Sequence, residues 1–190
     1  MRRRTLIAAS AVGLGSVLAG APGSAWAQDS ASDPENTLYL DLKNGRVVIQ
    51  MFPDVAPKTV AQIKTLTRQG FYDGTPFHRV IEGFMAQGGD PTGTGMGGSK
   101  LPNLPAEFSS RHFVRGVCGM ARSNDPNSGN SQFFIMFAPA TSLDGNYTIW
   151  GRVIKGMELV DQIKRGTGPN GQVVGEPDRI VHMHVAADVK

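Results

Sequence analysis

Phe77-His78-Arg79-Val80-Ile81-Glu82-Gly83-Phe84-Met85-Ala86-Gln87-Gly88-Gly89-Asp90 reads as two short strands around a glycine turn. Phe77 to Ile81 and Gly83 to Gln87 are too short for helices and rich in large apolar residues. Strand alternation would place Arg79 on the same side as Phe77 and Ile81. A cation among large apolar side chains costs free energy unless it has a partner or a ligand. Two readings follow. Arg79 forms a buried salt bridge, or its guanidinium lines an apolar pocket and donates hydrogen bonds to a substrate.

The rest of the chain follows the same style. Gly116 to Ala121, Phe133 to Phe137, Tyr147 to Val153 and Ile180 to Val185 are further short strands between Gly, Pro, Asn and Asp turns. Ahead of them, Leu38, Leu40 and Leu42 share one face, and Val47, Ile49 and Met51 share another. Asn44-Gly45 between these runs predicts a hairpin whose tight turn has positive φ at both of those residues. Two helices are predicted. Pro57 to Gln69 starts with proline, carries Val60, Ile63 and Leu66 or Thr67 at helical spacing, and is followed by Gly70. Gly156 to Arg165 carries Leu159, Val160 and Ile163, with Lys164-Arg165 at its end and Gly166 beyond. Many short strands with only two helices indicate a mainly β fold, a closed antiparallel barrel or a sandwich.

The chain has 190 residues, which suits one domain with an appendage at its front. Met1-Arg2-Arg3-Arg4 is a basic head, Leu6 to Gly20 is uncharged, and Ala25-Trp26-Ala27 is a small-x-small cleavage pattern. Residues 1–27 therefore read as a signal peptide, 28–36 as a flexible lead-in and 37–190 as the folded domain. The apolar run is shorter than the ~20 residues needed to span a bilayer, so no membrane anchor is expected after cleavage. The paired arginines fit a twin-arginine signal and an ordinary secretory signal equally. Lipidation would need cysteine where Ala21 stands. The whole chain has 19 basic and 16 acidic residues; without Arg2, Arg3 and Arg4, 16 of each remain. The basic balance thus belongs to the leader and gives no reason to expect nucleic acid. A periplasmic or secreted location follows as an expectation. Cys118, the one cysteine, has no partner for an internal disulfide and lies in an apolar run, so it reads as a small core residue.

Two more segments complete the pattern: Met120-Ala121-Arg122-Ser123-Asn124-Asp125-Pro126-Asn127-Ser128-Gly129-Asn130-Ser131-Gln132-Phe133-Phe134-Ile135, and Leu143-Asp144-Gly145-Asn146-Tyr147-Thr148-Ile149-Trp150-Gly151-Arg152-Val153. With Phe77 to Asp90, in this order and spacing, they resemble the cyclophilin family of peptidyl-prolyl cis–trans isomerases. The resemblance covers roughly Leu38 to Lys190. It implies a closed eight-stranded antiparallel β-barrel capped by two α-helices, with the active site on the outer face. Arg79 matches the family's catalytic arginine and Gln87 the glutamine that supports it. Phe84, Met85, Phe134 and Leu143 match the pocket for the substrate proline. Ala121 and Arg122 match the strand that pairs with the peptide backbone, and Gln132 a further polar contact. Tyr147 stands where many relatives have histidine and others tyrosine.

The implied partners are proline-containing peptides and folding protein clients, with no cofactor and no metal; a monomer is the default. Two departures carry expectations. Ser142 stands where many members carry a tryptophan that contacts cyclosporin, so cyclosporin should bind weakly. Arg122 replaces a common asparagine and should change peptide preference more than turnover. A binding module or chaperone using the same groove without turnover is the alternative, and a barrel holding a small ligand inside is a weaker one.

Other signals read as structural. Gly93-Thr94-Gly95-Met96-Gly97-Gly98 contains a dinucleotide-type glycine pattern, but Ser99-Lys100-Leu101-Pro102 cannot open the helix that such a site needs. His182 and His184 share a strand face without an evident third metal ligand. His78 should point away from Arg79. Asn146-Tyr147-Thr148 is a glycosylation sequon, but the leader looks bacterial and a sugar there would crowd the expected site.

Overall fold

The computed structural model describes residues 33–189, so the expected signal peptide lies outside the described residues. Strands β1 (Thr37–Leu42) and β2 (Gly45–Met51) form the expected hairpin, with Leu38, Leu40, Val47, Ile49 and Met51 all buried. The turn is displaced by one residue from expectation. Leu42 pairs with Gly45, so Lys43-Asn44 turn the corner, and the positive φ falls on Gly45 rather than on both Asn44 and Gly45.

Helix α1 spans Pro57–Arg68 and buries Val60, Ile63 and Leu66. Ala56 offers no capping side chain at its start. The Glu107 carboxylate does that work from a distant loop, accepting from Lys58 N at 2.9 Å and Thr59 N at 2.8 Å. The second expected helix is cut short. Helix α2 is only Met157–Val160. Beyond Val160 the chain is drawn off by tertiary bonds: Lys164 N donates to the Asp178 carboxylate at 2.8 Å and Gly166 N to Val80 O at 2.8 Å. Arg165, predicted to complement a helix end, instead pairs with Glu82 and lies 4.3 Å over the Phe137 ring.

The remaining strands are β3 (Arg79–Ile81), β4 (Met85–Gly88), β5 (Val117–Met120), β6 (Phe133–Met136), β7 (Ile149–Lys155) and β8 (His182–Val185). All pairings are antiparallel, in the order β3-β4-β6-β5-β7-β2-β1-β8. The curled sheet is open: β3 and β8 do not pair, which corrects the expectation of a closed barrel. Single bonds bridge the gap, with Phe77 N donating to Asp178 O at 2.9 Å and Ile180 N to Thr75 O at 3.0 Å. Pro76 and Pro177 lie in these two segments and lack the N–H groups that a continuous ladder requires.

The inner face is filled by side chains. Phe133 meets Tyr72, Phe77 and Trp150 edge-on, at 5.7, 6.5 and 5.8 Å between centroids. Phe77 therefore joins the interior beside Val80 instead of sharing a side with Arg79. Regular strand structure begins only at Arg79, so alternation does not extend back to Phe77. Cys118 is in the same interior, and burial pushes its thiol pKa up. Residues 34–36, at the end of the expected lead-in, form a 3-10 turn pinned by Glu35 to Lys64 and Arg68 at 2.9 and 2.8 Å.

Candidate active site

A second apolar cluster covers the outer face, built on Phe52, Met85, Phe113, Val117, Phe134, Met136 and Ile149. β6 explains how one run serves both sides. Phe133 and Ile135 belong to the interior, Phe134 and Met136 to the outer cluster. Phe134 stacks on Phe113 at 5.7 Å and meets Tyr147 edge-on at 5.8 Å. Gly119 on β5 lies directly beneath it; a Cβ there would overlap the Phe134 ring.

A cavity of about 160 Å³ opens on this cluster, lined by Arg79, Phe84, Met85, Gln87, Ala121, Arg122, Phe134, Leu143 and Tyr147. Nine of the ten residues expected at the site are thus brought together. Gln132, the tenth, lies beside this cavity. Its side chain is spent on support, donating to Gly95 O at 2.9 Å and Gly97 O at 2.8 Å and accepting from Gln87 Nε2 at 2.9 Å. Gln87 in turn accepts from Arg79 Nη1 at 3.1 Å, across the β3–β4 pair in which Arg79 faces Gln87. Arg79 Nε donates to Asn170 O at 2.9 Å. No carboxylate among the described residues pairs with Arg79, which removes the salt-bridge reading; burial lowers its pKa from the ordinary arginine value. Its Nη2 makes no hydrogen bond to a described residue.

Arg122 has a different set of contacts. Its guanidinium lies 4.4 Å over the Tyr147 ring and donates to Asn146 O from Nε at 3.1 Å and Nη2 at 2.9 Å. It ties the end of β5 to the loop carrying Tyr147. Sequence reasoning did not reveal this pairing, nor the contact between Arg79 and Asn170, because neither has a periodic signature.

The glycine loop of residues 93–98 is wrapped around Asp90. The Asp90 carboxylate accepts from Gly95 N at 2.7 Å and Gly97 N at 3.1 Å, so these amides are not open to a phosphate. Burial pushes that carboxyl up, but bonds from Thr92, Gly97 and Gly95 together hold it below the usual range. His78 lies buried under the same loop, and neither of its ring nitrogens is within hydrogen-bond geometry of a described residue. Burial lowers its pKa. His182 bonds Asp73 at 3.1 Å, and no group of three metal-ligating side chains occurs among the described residues.

The model of the cyclophilin type peptidyl-prolyl cis-trans isomerase family matches residues 37–185. This chain belongs to the cyclophilin-type peptidyl-prolyl cis–trans isomerases. A probable peptidyl-prolyl cis-trans isomerase of Brucella suis is 52% identical over 172 residues, covering 85% of this chain and 88% of that protein. An Arabidopsis thaliana peptidyl-prolyl cis-trans isomerase is 44% identical over 145 residues, 74% of this chain and 89% of its own. Among solved structures, a cyclophilin from Hirschia baltica superposes with a TM-score of 0.72 at 31% identity, covering 83% of this chain and 76% of that one. A Cryptosporidium parvum cyclophilin-type isomerase, crystallised in the presence of the dipeptide Ala-Pro, gives a TM-score of 0.71 at 28% identity over 78% of this chain and 98% of its own. Cyclophilin-type isomerase activity is therefore the activity of this enzyme.

Proposed function

We propose that the outer cavity receives the proline of an Xaa-Pro segment and that Arg79 catalyses rotation about the held bond. Rotation is slow because amide conjugation must be broken, at a cost of ~18–20 kcal/mol. No covalent bond forms or breaks, so the enzyme must favour the twisted amide over both planar ones. Phe84, Met85, Phe134 and Leu143 hold the ring in an apolar site. Beside it, Arg122 N–H and C=O bond no described residue, leaving a backbone edge for the peptide. In the twisted amide the nitrogen regains a lone pair, and Arg79 donates to it. Acceleration by five decades requires about 7 kcal/mol. One charge-assisted hydrogen bond in a dry site supplies roughly 3 of that, and positioning the rest.

The observation that carries this reading is a guanidinium braced at Nε and Nη1 that lines the same cavity as Phe84 and Phe134. The Ala-Pro dipeptide present with the Cryptosporidium parvum relative supports proline-containing peptides as substrates. The Arg2–Arg4 head and Ala25-Trp26-Ala27 support work on proteins folding outside the cytoplasm, periplasmic or secreted. Ser142 supports weak cyclosporin binding. A protease-coupled assay on a prolyl tetrapeptide tests the mechanism. Arg79→Ala should lose most turnover while remaining folded. An active Arg79→Ala enzyme removes Arg79 from the mechanism, and peptide binding without acceleration by the native protein would leave only a binding module.

A further inference from the structure

Asn170 is the only non-glycine residue with positive φ among the described residues, at φ 55° and ψ 23°. Left-handed backbone is unfavourable for side-chain-bearing residues, least so for Asn, and its presence invites a functional question. Asn170 sits in the turn Pro169–Gly171, and it is its carbonyl, not its side chain, that accepts from Arg79 Nε at 2.9 Å.

The turn is fastened to the strand that carries Arg79. Val173 N donates to His78 O at 2.9 Å and Gly166 N to Val80 O at 2.8 Å, on either side of Arg79. Within the turn, Gly168 N donates to Gln172 O at 2.9 Å. Gly171 lies against Ile81 so closely that a Cβ would overlap its side chain. The Asn170 carbonyl is thus fixed relative to β3 by several contacts that do not involve its own side chain.

A guanidinium is planar, and one contact leaves it free to pivot. Gln87 alone holds Nη1 at 3.1 Å. The second contact, at Nε, removes the pivot and leaves Nη2 as the free donor. We propose that Asn170 is a positioning residue for isomerisation: its main-chain carbonyl, presented by a left-handed turn packed on β3, fixes the plane of the Arg79 guanidinium. This rests on the reading of Arg79 as the donor to the prolyl nitrogen. The side chain should be dispensable wherever the backbone conformation survives. Glycine adopts that conformation freely, and a β-branched residue resists it.

The test compares Asn170→Gly with Asn170→Val in the full chain, measuring kcat and KM on a prolyl tetrapeptide and hydrogen exchange of the Arg79 Nε–H by NMR. Asn170→Val should lower kcat about tenfold with KM within about twofold of native, and should accelerate Nε–H exchange, as misplacement of a catalytic group does. Asn170→Gly should recover kcat to within about threefold of native, with native-like protection. If Asn170→Val does not fold, Asn170→Ala takes its place in the comparison, with a smaller loss of kcat expected. Native kcat in the Val or Ala variant, equal losses in the Gly and Val variants, or unprotected Nε–H in the native protein would each overturn the positioning role. An active Arg79→Ala enzyme overturns the donor reading beneath it. An inactive Arg79→Ala enzyme beside a fully active Asn170→Val enzyme overturns the positioning alone.

Discussion

Phe133 and Phe134 are neighbours in β6, yet they serve opposite faces of the sheet. Phe133 is sealed inside, edge-on to Tyr72, Phe77 and Trp150, and is 0% exposed. Phe134 is 5% exposed, at the floor of a cavity shared with Arg79. The inner cluster has apolar partners on every side, and its free energy goes into the fold. The outer cluster is left one partner short, at the place proposed for the proline ring of a substrate. Apolar burial is the same physical effect in both places. What differs is whether the chain itself supplies the last surface.

Phe133→Ala should give the largest change. It should cost about 3–5 kcal/mol of stability, seen by denaturant unfolding, with KM unchanged in the folded fraction. A raised KM would break the division between the faces. Phe134→Ala should cost less stability, about 2–3 kcal/mol, because its void opens to solvent. It should raise the KM for a prolyl peptide about tenfold, worth ~1.4 kcal/mol. Phe84→Ala, on the rim, should raise KM with little change in unfolding.

Arg122→Asn sharpens the comparison further. It removes the contact over Tyr147 and the bonds to Asn146 O, and exposed cation–π pairs are worth about 0.5–1 kcal/mol. KM should change by about two- to fivefold, differently for different residues flanking the proline, with kcat held. The smallest effect lies at the exposed Glu35. Bonds from Arg68 and Lys64 lower the Glu35 pKa from 4.5 to about 2. A carboxyl pKa lowered on folding stabilises above its unfolded value, and that contribution fades as pH falls from about 4.5 toward about 2. Acid titration of unfolding should show this decline, Glu35→Gln should flatten it, and activity at neutral pH should not change. As an exposed pair it should shift stability by a few tenths of a kcal/mol.

The hairpin and α1 were legible because one face of each is buried and the other wet, so the pattern has a clean period. Phe133–Met136 shows no such period, since both of its faces are covered. α2 was overestimated because Ile163 continues the helical spacing, while the bonds to Asp178 and Val80 that end the helix come from remote parts of the chain. The open edge between β3 and β8 was hinted at by Pro76 and Pro177, but only topology brings them together. At the site, nine of ten expected residues line one cavity, found through motif resemblance. Asn170 was missed because a main-chain carbonyl acts there, and Glu107 because it caps a helix 48 residues away.

The most direct test is NMR exchange spectroscopy of a prolyl peptide saturated with enzyme, comparing native protein and Arg79→Ala, because it reads rotation of the bound bond apart from affinity. The interconversion rate of the bound peptide should fall about a hundredfold or more in Arg79→Ala, about 2.7 kcal/mol, while the unfolding midpoint stays near native. An unchanged bound-state rate would contradict the account: the outer cluster would then bind proline, and the guanidinium would play no part in turning it.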